Sequence, residues 1–260
     1  RIRMQLHELL RDDYSLAQAK SLQEKYKQII QSNQEPNQVK NIKDVKTVVG
    51  VDISYYRRGN IEYGIGCAVL WNIEEETIEN ETFYRNTINF PYKAGFLGFR
   101  ECRILANSIL KLPTSPDLIM CDGHGIIHPR KFGEAVQLGF SLNIPSIGVA
   151  KKPYIGYSQW KKLTRLKGNK TPILANNPNS KKKGRDNELL GYAVCLNDGS
   201  KPVFISSGYN STIDAAIEIC LTTSKGHRQP EPLFLADQLS KNRVKRDLPK
   251  LKQEYDFKVT

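Results

Sequence analysis

Four acidic residues stand in settings where a carboxylate could do chemistry. Asp52 interrupts the apolar run Val49-Gly50-Val51-Asp52-Ile53-Ser54. A carboxylate there is costly to bury unless it is paired or bound to a cation. Asp122 ends a second apolar run, Leu118-Ile119-Met120-Cys121, and opens Asp122-Gly123-His124-Gly125. Ligands of open α/β sheets collect at such carboxyl ends of strands, and the two glycines let a ligand come close to the backbone. Glu101 falls in the first turns of a helical stretch after Gly98, and Asp237 in the last helical stretch. Each also has an ordinary explanation: a solvated strand residue, a turn cap, or a solvated helix face. Together, and without Cys or His pairs, they offer hard oxygen donors suited to Mg²⁺ or Mn²⁺. Such an ion activates water and offsets charge on the leaving oxygen of a phosphodiester. Whether the four acids converge is left open by their spacing.

The elements that would position them can be read from hydrophobic periodicity. Residues 15–30 form a helix with Ser15 as N-cap. Three strands follow at 47–55, 62–72 and 77–88, joined by the short polar linkers Arg57-Arg58-Gly59-Asn60 and Glu74-Glu75-Glu76. That spacing predicts an antiparallel meander. Helices at 99–110 and 132–142 then alternate with short apolar strands at 117–121 and 145–150. Two more strands, 189–196 and 202–206, turn at Asn197-Asp198-Gly199, and helices at 212–222 and 231–244 follow. The short strands after residue 116 are expected to be parallel and buried on both faces. The fold class expected is α/β: a mixed sheet of three antiparallel strands and then parallel strands, flanked by helices. This order resembles the ribonuclease H-like fold. There the first strand lies beside the fourth, so the resemblance implies that an acid on each would meet at the centre of the sheet.

Composition bounds the partners. The 260 residues suffice for one sizeable core, and we expect a single domain over 1–260 interrupted by a basic insertion loop at 152–187. The five cysteines are scattered among apolar residues with no CxxC pair, which reads as reduced thiols in a core. No apolar run approaches the roughly 18–20 residues that span a bilayer, and Arg1-Ile2-Arg3-Met4 lacks the apolar core of a signal peptide. The expectation is a soluble, cytoplasmic, monomeric protein with no membrane partner. Net charge is +12, and residues 151–185 hold eleven Lys or Arg and no acid. A second basic cluster comprises Lys241, Arg243, Lys245, Arg246, Lys250 and Lys252. Either run is a solvated face or a track for phosphates; the excess favours a nucleic acid partner.

The motifs in order are more specific than any single residue. They are Val49-Gly50-Val51-Asp52; Pro91-Tyr92 with Gly95-Phe96-Leu97-Gly98-Phe99-Arg100-Glu101; Asp122-Gly123-His124-Gly125-Ile126-Ile127-His128-Pro129-Arg130; Ile147-Gly148-Val149-Ala150-Lys151-Lys152; and Pro230-Glu231-Pro232 with Ala236-Asp237. Over nearly the whole chain, from about residue 15 to 244, this pattern resembles the endonuclease V family. The resemblance implies a nuclease that recognises inosine in DNA or RNA. It would hydrolyse the second phosphodiester on the 3′ side, leaving 3′-hydroxyl and 5′-phosphate ends. It implies Mg²⁺, replaceable by Mn²⁺, held by Asp52, Asp122, Glu101 and Asp237, with Lys151 beside the scissile phosphate. It places Pro91, Tyr92 and Lys93 on a wedge that enters the helix at the damaged base. Gly95, Leu97 and Gly123 would line a pocket for the extruded base, with His128 near the cleaved strand. Extrusion costs least for a base without a good partner.

Three positions depart from the family. Lys93-Ala94 replaces an aliphatic residue and proline common in bacterial members. Gly208-Tyr209 stands where Gly-His is frequent. The 152–187 segment is longer and more basic than usual. Two other readings remain: the nuclease domain of a bacterial excision-repair incision subunit, which normally carries further modules, and a catalytically inactive binder of deaminated nucleic acid. Retention of all four acids and Lys151 favours the enzyme.

Overall fold

The computed structural model of the protein describes residues 7–33, 38–179 and 187–256. Strand β1 (Thr47–Arg58) buries Val48, Val49 and Val51. It turns at Gly59 and Asn60 into β2 (Ile61–Asn72), with Arg58 opposite Ile61. Gly59 sits at φ 57°, the positive φ that the first position of a tight hairpin turn requires. β3 (Thr77–Thr87) completes the antiparallel meander.

The chain then alternates: α2 (Leu97–Leu110), β4 (Leu118–Cys121), α3 (Glu134–Leu142) and β5 (Ser146–Ala150). Before these, α1 (Leu16–Ser32) starts at a capping box in which Ser15 and Gln18 satisfy each other's backbone N–H groups. Beyond β5 come β6 (Lys170–Leu174), β7 (Leu189–Val194), β8 (Val203–Ser207), α4 (Ile213–Thr222) and α5 (Glu231–Asp256).

All eight strands form one sheet in the order β3-β2-β1-β4-β5-β8-β7-β6. The first strand does lie beside the fourth. β1 and β4 are parallel, with Val51 opposite Cys121, so Asp52 and Asp122 follow at the same level. Among the named strands, parallel pairing is confined to β1, β4 and β5. The expectation of parallel strands throughout the second half is corrected here, because β8, β7 and β6 all pair antiparallel. β7 and β8 are joined by the short Asn197-Asp198-Gly199 turn, and a connection that short can only make a hairpin.

Two cores sandwich the sheet. Val49, Val51 and Ile119 pack with Cys102, Leu105 and Leu138 of α2 and α3 on one face. Val48, Met120 and Ile147 pack with Ala216, Ile219 and Leu233 on the other. α5 starts tight against β1: a Cβ built on Gly50 would lie 2.3 Å from the Pro232 carbonyl carbon. All five cysteines are free and buried. Among the described residues no helix is long and apolar enough to cross a membrane.

The basic insertion at 152–187 is corrected from a loop to a structured edge, except that 180–186 lie outside the described residues. β6 pairs with β7, Tyr157 bridges Leu174, and Trp160 packs edge-on against Phe204. Pro172 fits only because β6 is an edge strand, where a missing N–H breaks no ladder. α5 runs past 244 and through Pro249. The side chains of Lys250 and Lys252 in the second basic cluster lie outside those described.

Candidate active site

The carboxyl ends of the parallel strands gather the sequence-predicted acids. Asp52 projects from β1, Asp122 follows β4, and Lys151 follows β5. Asp237 reaches the same place from α5 and hydrogen-bonds with Asp52. Lys151 Nζ lies 3.0 Å from Asp122 Oδ2, and Lys241 Nζ lies 2.7 Å from Asp237 Oδ2. Burial, then the adjacent Asp122 charge, pushes the Asp52 carboxyl up to about 8, although Ile53 N–H donates to it at 2.8 Å. Asp237 goes the other way: burial opposes ionisation, but the bonds from Lys241 and Asp52 hold it below the usual carboxylate range. Burial also works against the Lys151 cation, yet Asp122 keeps its pKa above the ordinary lysine value.

Glu101, on α2, is buried and within reach of the Asp122 charge. The Tyr55 hydroxyl donates to its Oε1, and a second buried carboxyl, Glu134, hydrogen-bonds to it as well. Burial raises Glu101 to about 7 against the pull of both bonds. Glu134 is raised by burial and by the Glu101 charge. A hydrogen bond between two carboxyls needs a proton shared between them. Oε2 of Glu134 is buried without a hydrogen-bond partner among the described residues.

Next to the acids opens a cleft of about 260 Å³. Tyr92, Lys93, Gly95, Leu97, Gly123 and His128, all sequence-predicted, line it together. Pro91 does not; it is exposed beside the 77% exposed Tyr92. Gly95 has φ 85°, a conformation that side chains disfavour. Its carbonyl accepts from three donors: Gln23 Nε2 at 2.9 Å, His128 Nε2 at 3.0 Å and Arg130 Nη2 at 2.8 Å. A carbonyl has two lone pairs, so this one is fully engaged within the protein. His128 Nδ1 accepts from the backbone N–H of Arg130 at 3.1 Å and of Phe132 at 3.3 Å. Both nitrogens are thereby assigned: the ring is neutral, with its proton on Nε2. Burial depresses its pKa to about 4. On these contacts His128 anchors the cleft wall.

Several contributors escaped the sequence reading. Gln23 and Arg130 fix Gly95, and Tyr154, near His124 and His128, closes one side of the cleft. Arg228 Nη2 donates to the Lys151 carbonyl at 2.6 Å and holds that residue's backbone. Glu134 signals itself only as an acid between glycine and an apolar helix, which is also a common N-terminal helix pattern. Tyr209, where the family often has histidine, is buried and donates to Asn143 Oδ1 at 3.1 Å.

The profile of the Endonuclease V family matches residues 24–238. The Endonuclease V of Nostoc sp. is 38% identical over 199 residues, spanning 76% of this chain and 84% of the relative. The crystal structure of Endonuclease V from Streptomyces avermitilis is similar at a TM-score of 0.76 and 29% identity, over 91% of this chain and 96% of that one. Ciona intestinalis Endonuclease V, in complex with a 24mer DNA containing an inosine followed by a ribo-adenosine, is similar at 0.73 and 28%, over 89% and 98%. With the profile covering more than half of the sequence and the relatives aligned along most of their length, the chain belongs to the endonuclease V family and is a nuclease that hydrolyses phosphodiester bonds.

Proposed function

We propose that the protein is a divalent-cation-dependent endonuclease that takes an inosine base into the cleft at Gly95 and cuts the same strand nearby. The carrying observation is that Gly123 and Lys152, which directly follow Asp122 and Lys151, line that cleft, while Asp52 and Asp237 join Asp122 and Lys151 in one charge cluster. The Ciona relative bound to inosine-containing DNA supports the choice of base.

The acids fit a hard cation. Their donors are all oxygen, and Asp52 is forced up to about 8 by burial and like charge, a penalty that a cation would remove. Among the described residues no three His, Cys, Asp or Glu side chains already form a closed ligand set. Lys151 and Lys241 hold part of the acids' charge. Asp52, Asp122, Glu101 and Asp237 would hold Mg²⁺ or Mn²⁺. When bound, the ion supplies water activation and neutralises charge on the phosphate. Lys151 stands where it can offset charge developing on the scissile phosphate. The exposed Tyr92 ring offers a surface for an unpaired base to stack against. Hypoxanthine differs from adenine in its N1–H and O6, which fixed backbone groups can read. The cut expected is at the second phosphodiester 3′ to the inosine, leaving 3′-hydroxyl and 5′-phosphate. DNA and RNA are both retained as substrates, since reading the 2′-hydroxyl is what separates them.

The test compares wild type and Asp52→Ala on matched inosine-DNA and inosine-RNA strands with Mg²⁺. Loss of cleavage in the variant on every strand that wild type cuts is expected. Undiminished cleavage by Asp52→Ala sinks the assignment. Inosine binding without any nicking by wild type would instead favour an inactive binder.

A further inference from the structure

Glu134 is the buried acid that the catalytic account leaves without a task. It is the first residue of α3 and 4% exposed. It lines the cleft beside Gly123, and its Oε2 lies 3.1 Å from where a Cβ on Gly123 would be. Its carboxyl meets that of Glu101, and no backbone or side-chain N–H among the described residues donates to its Oε2. Burying a carboxyl that receives no N–H is a net cost to folding. Stability therefore gives no reason for a glutamate here. The geometry does: Glu101 is gripped from β1 by Tyr55 and from α3 by Glu134, so its carboxyl is fixed on two sides.

We propose that Glu134 is a positioning residue that fixes the Glu101 carboxyl for the cation centre. It does so from a place on the wall of the base cleft. This rests on the reading that the acids hold a divalent ion. A carboxylate that serves a metal is itself normally hydrogen-bonded, and removing that second partner commonly costs about 10–100-fold in metal affinity or activity.

Three proteins separate this from a structural role: wild type, Glu134→Leu and Glu134→Gln. Melting is measured without added metal and across a Mg²⁺ or Mn²⁺ titration, and cleavage of an inosine strand is resolved into kcat and KM. The amide of Gln keeps an N–H for Glu101; Leu keeps only the volume. Glu134→Leu relieves its own burial but takes one partner from Glu101, which keeps Tyr55, so it is expected to melt within a few degrees of wild type without metal. It should need about 10-fold more cation for half of the thermal shift and lose about 10–100-fold in kcat, with KM changed less than about threefold. Glu134→Gln should return both readouts to within about threefold of wild type. A wild-type cation response and kcat in Glu134→Leu overturn the proposal, as does a large drop in its metal-free melting temperature. A wild type with no cation-dependent shift would overturn the cation reading itself, which is a separate result.

Discussion

At the residue scale the site is a set of charges under constraint. Lys151 is the cation nearest to Asp122. Lys151→Met should bind an inosine strand within a fewfold of wild type but cut it about 10²–10³-fold more slowly, the usual loss when one preset electrostatic partner is removed. Single-turnover rates at saturating enzyme check this, and an unchanged rate contradicts it. His128 gives the pH dependence. Unfolded, it titrates near 6.5; folded, near 4, because burial excludes the charged ring. Between those values the unfolded chain takes up a proton that the folded one refuses. The stability at stake is therefore intact above pH 6.5 and lost as pH falls toward 4, by about 2 kcal/mol at pH 5. Urea unfolding of wild type and His128→Asn at pH 7 and pH 5 tests the sign: the variant should lose less on acidification. These roles were unevenly legible. Asp52 and Asp122 stand out because each breaks or ends an apolar strand. The tautomer of His128 depends on backbone donors at Arg130 and Phe132, which only the folded turn supplies.

At the element scale, β1 and α5 set the distance between Asp52 and Asp237. Their contact is made possible by Gly50, which leaves room for Pro232. Gly50→Ala forces the two apart. It should cost about 1–3 kcal/mol or more, as overpacked cores do, and slow cleavage by pulling Asp237 from its neighbour. Thermal melting alongside the inosine-strand rate checks both, and an unshifted melting point contradicts the packing account. The meander, α1 with its Ser15 cap, and the short strands β4 and β5 were readable because period and turn signals agreed. Strand direction after β5 was not, since short apolar runs look alike whichever way they pair. β6 was hidden for a different reason: its Lys and Pro belong to an edge, and an edge strand lacks the apolar pattern of a buried one.

At the scale of the whole molecule, charge and topology act together. The sheet carries its acids at one end of the parallel strands, and the structured basic edge begins directly after Lys151 with Lys152, Lys161, Lys162 and Arg165. The second basic cluster is less free than composition implies: Lys241 pairs with Asp237, and Arg243 and Arg246 pair with Asp247. The cations between β5 and β6 are therefore the ones expected to meet phosphate. Replacing Lys161 and Arg165 by Glu should weaken binding of inosine and control strands alike and make the salt dependence shallower by about one to two phosphate contacts. Fluorescence anisotropy across a salt series decides it; an unchanged slope places the strand elsewhere.

The central claim joins the acid cluster to the base cleft, and product mapping tests it most directly. End-labelled strands differing only by inosine or adenosine at one position, as DNA and as RNA, are incubated with wild type in Mg²⁺ and in chelator. The account predicts one Mg²⁺-dependent nick in the inosine strand, at the second phosphodiester on its 3′ side, with a 3′-hydroxyl and a 5′-phosphate. Equal cutting of the adenosine strand, or cutting that survives the chelator, would contradict it.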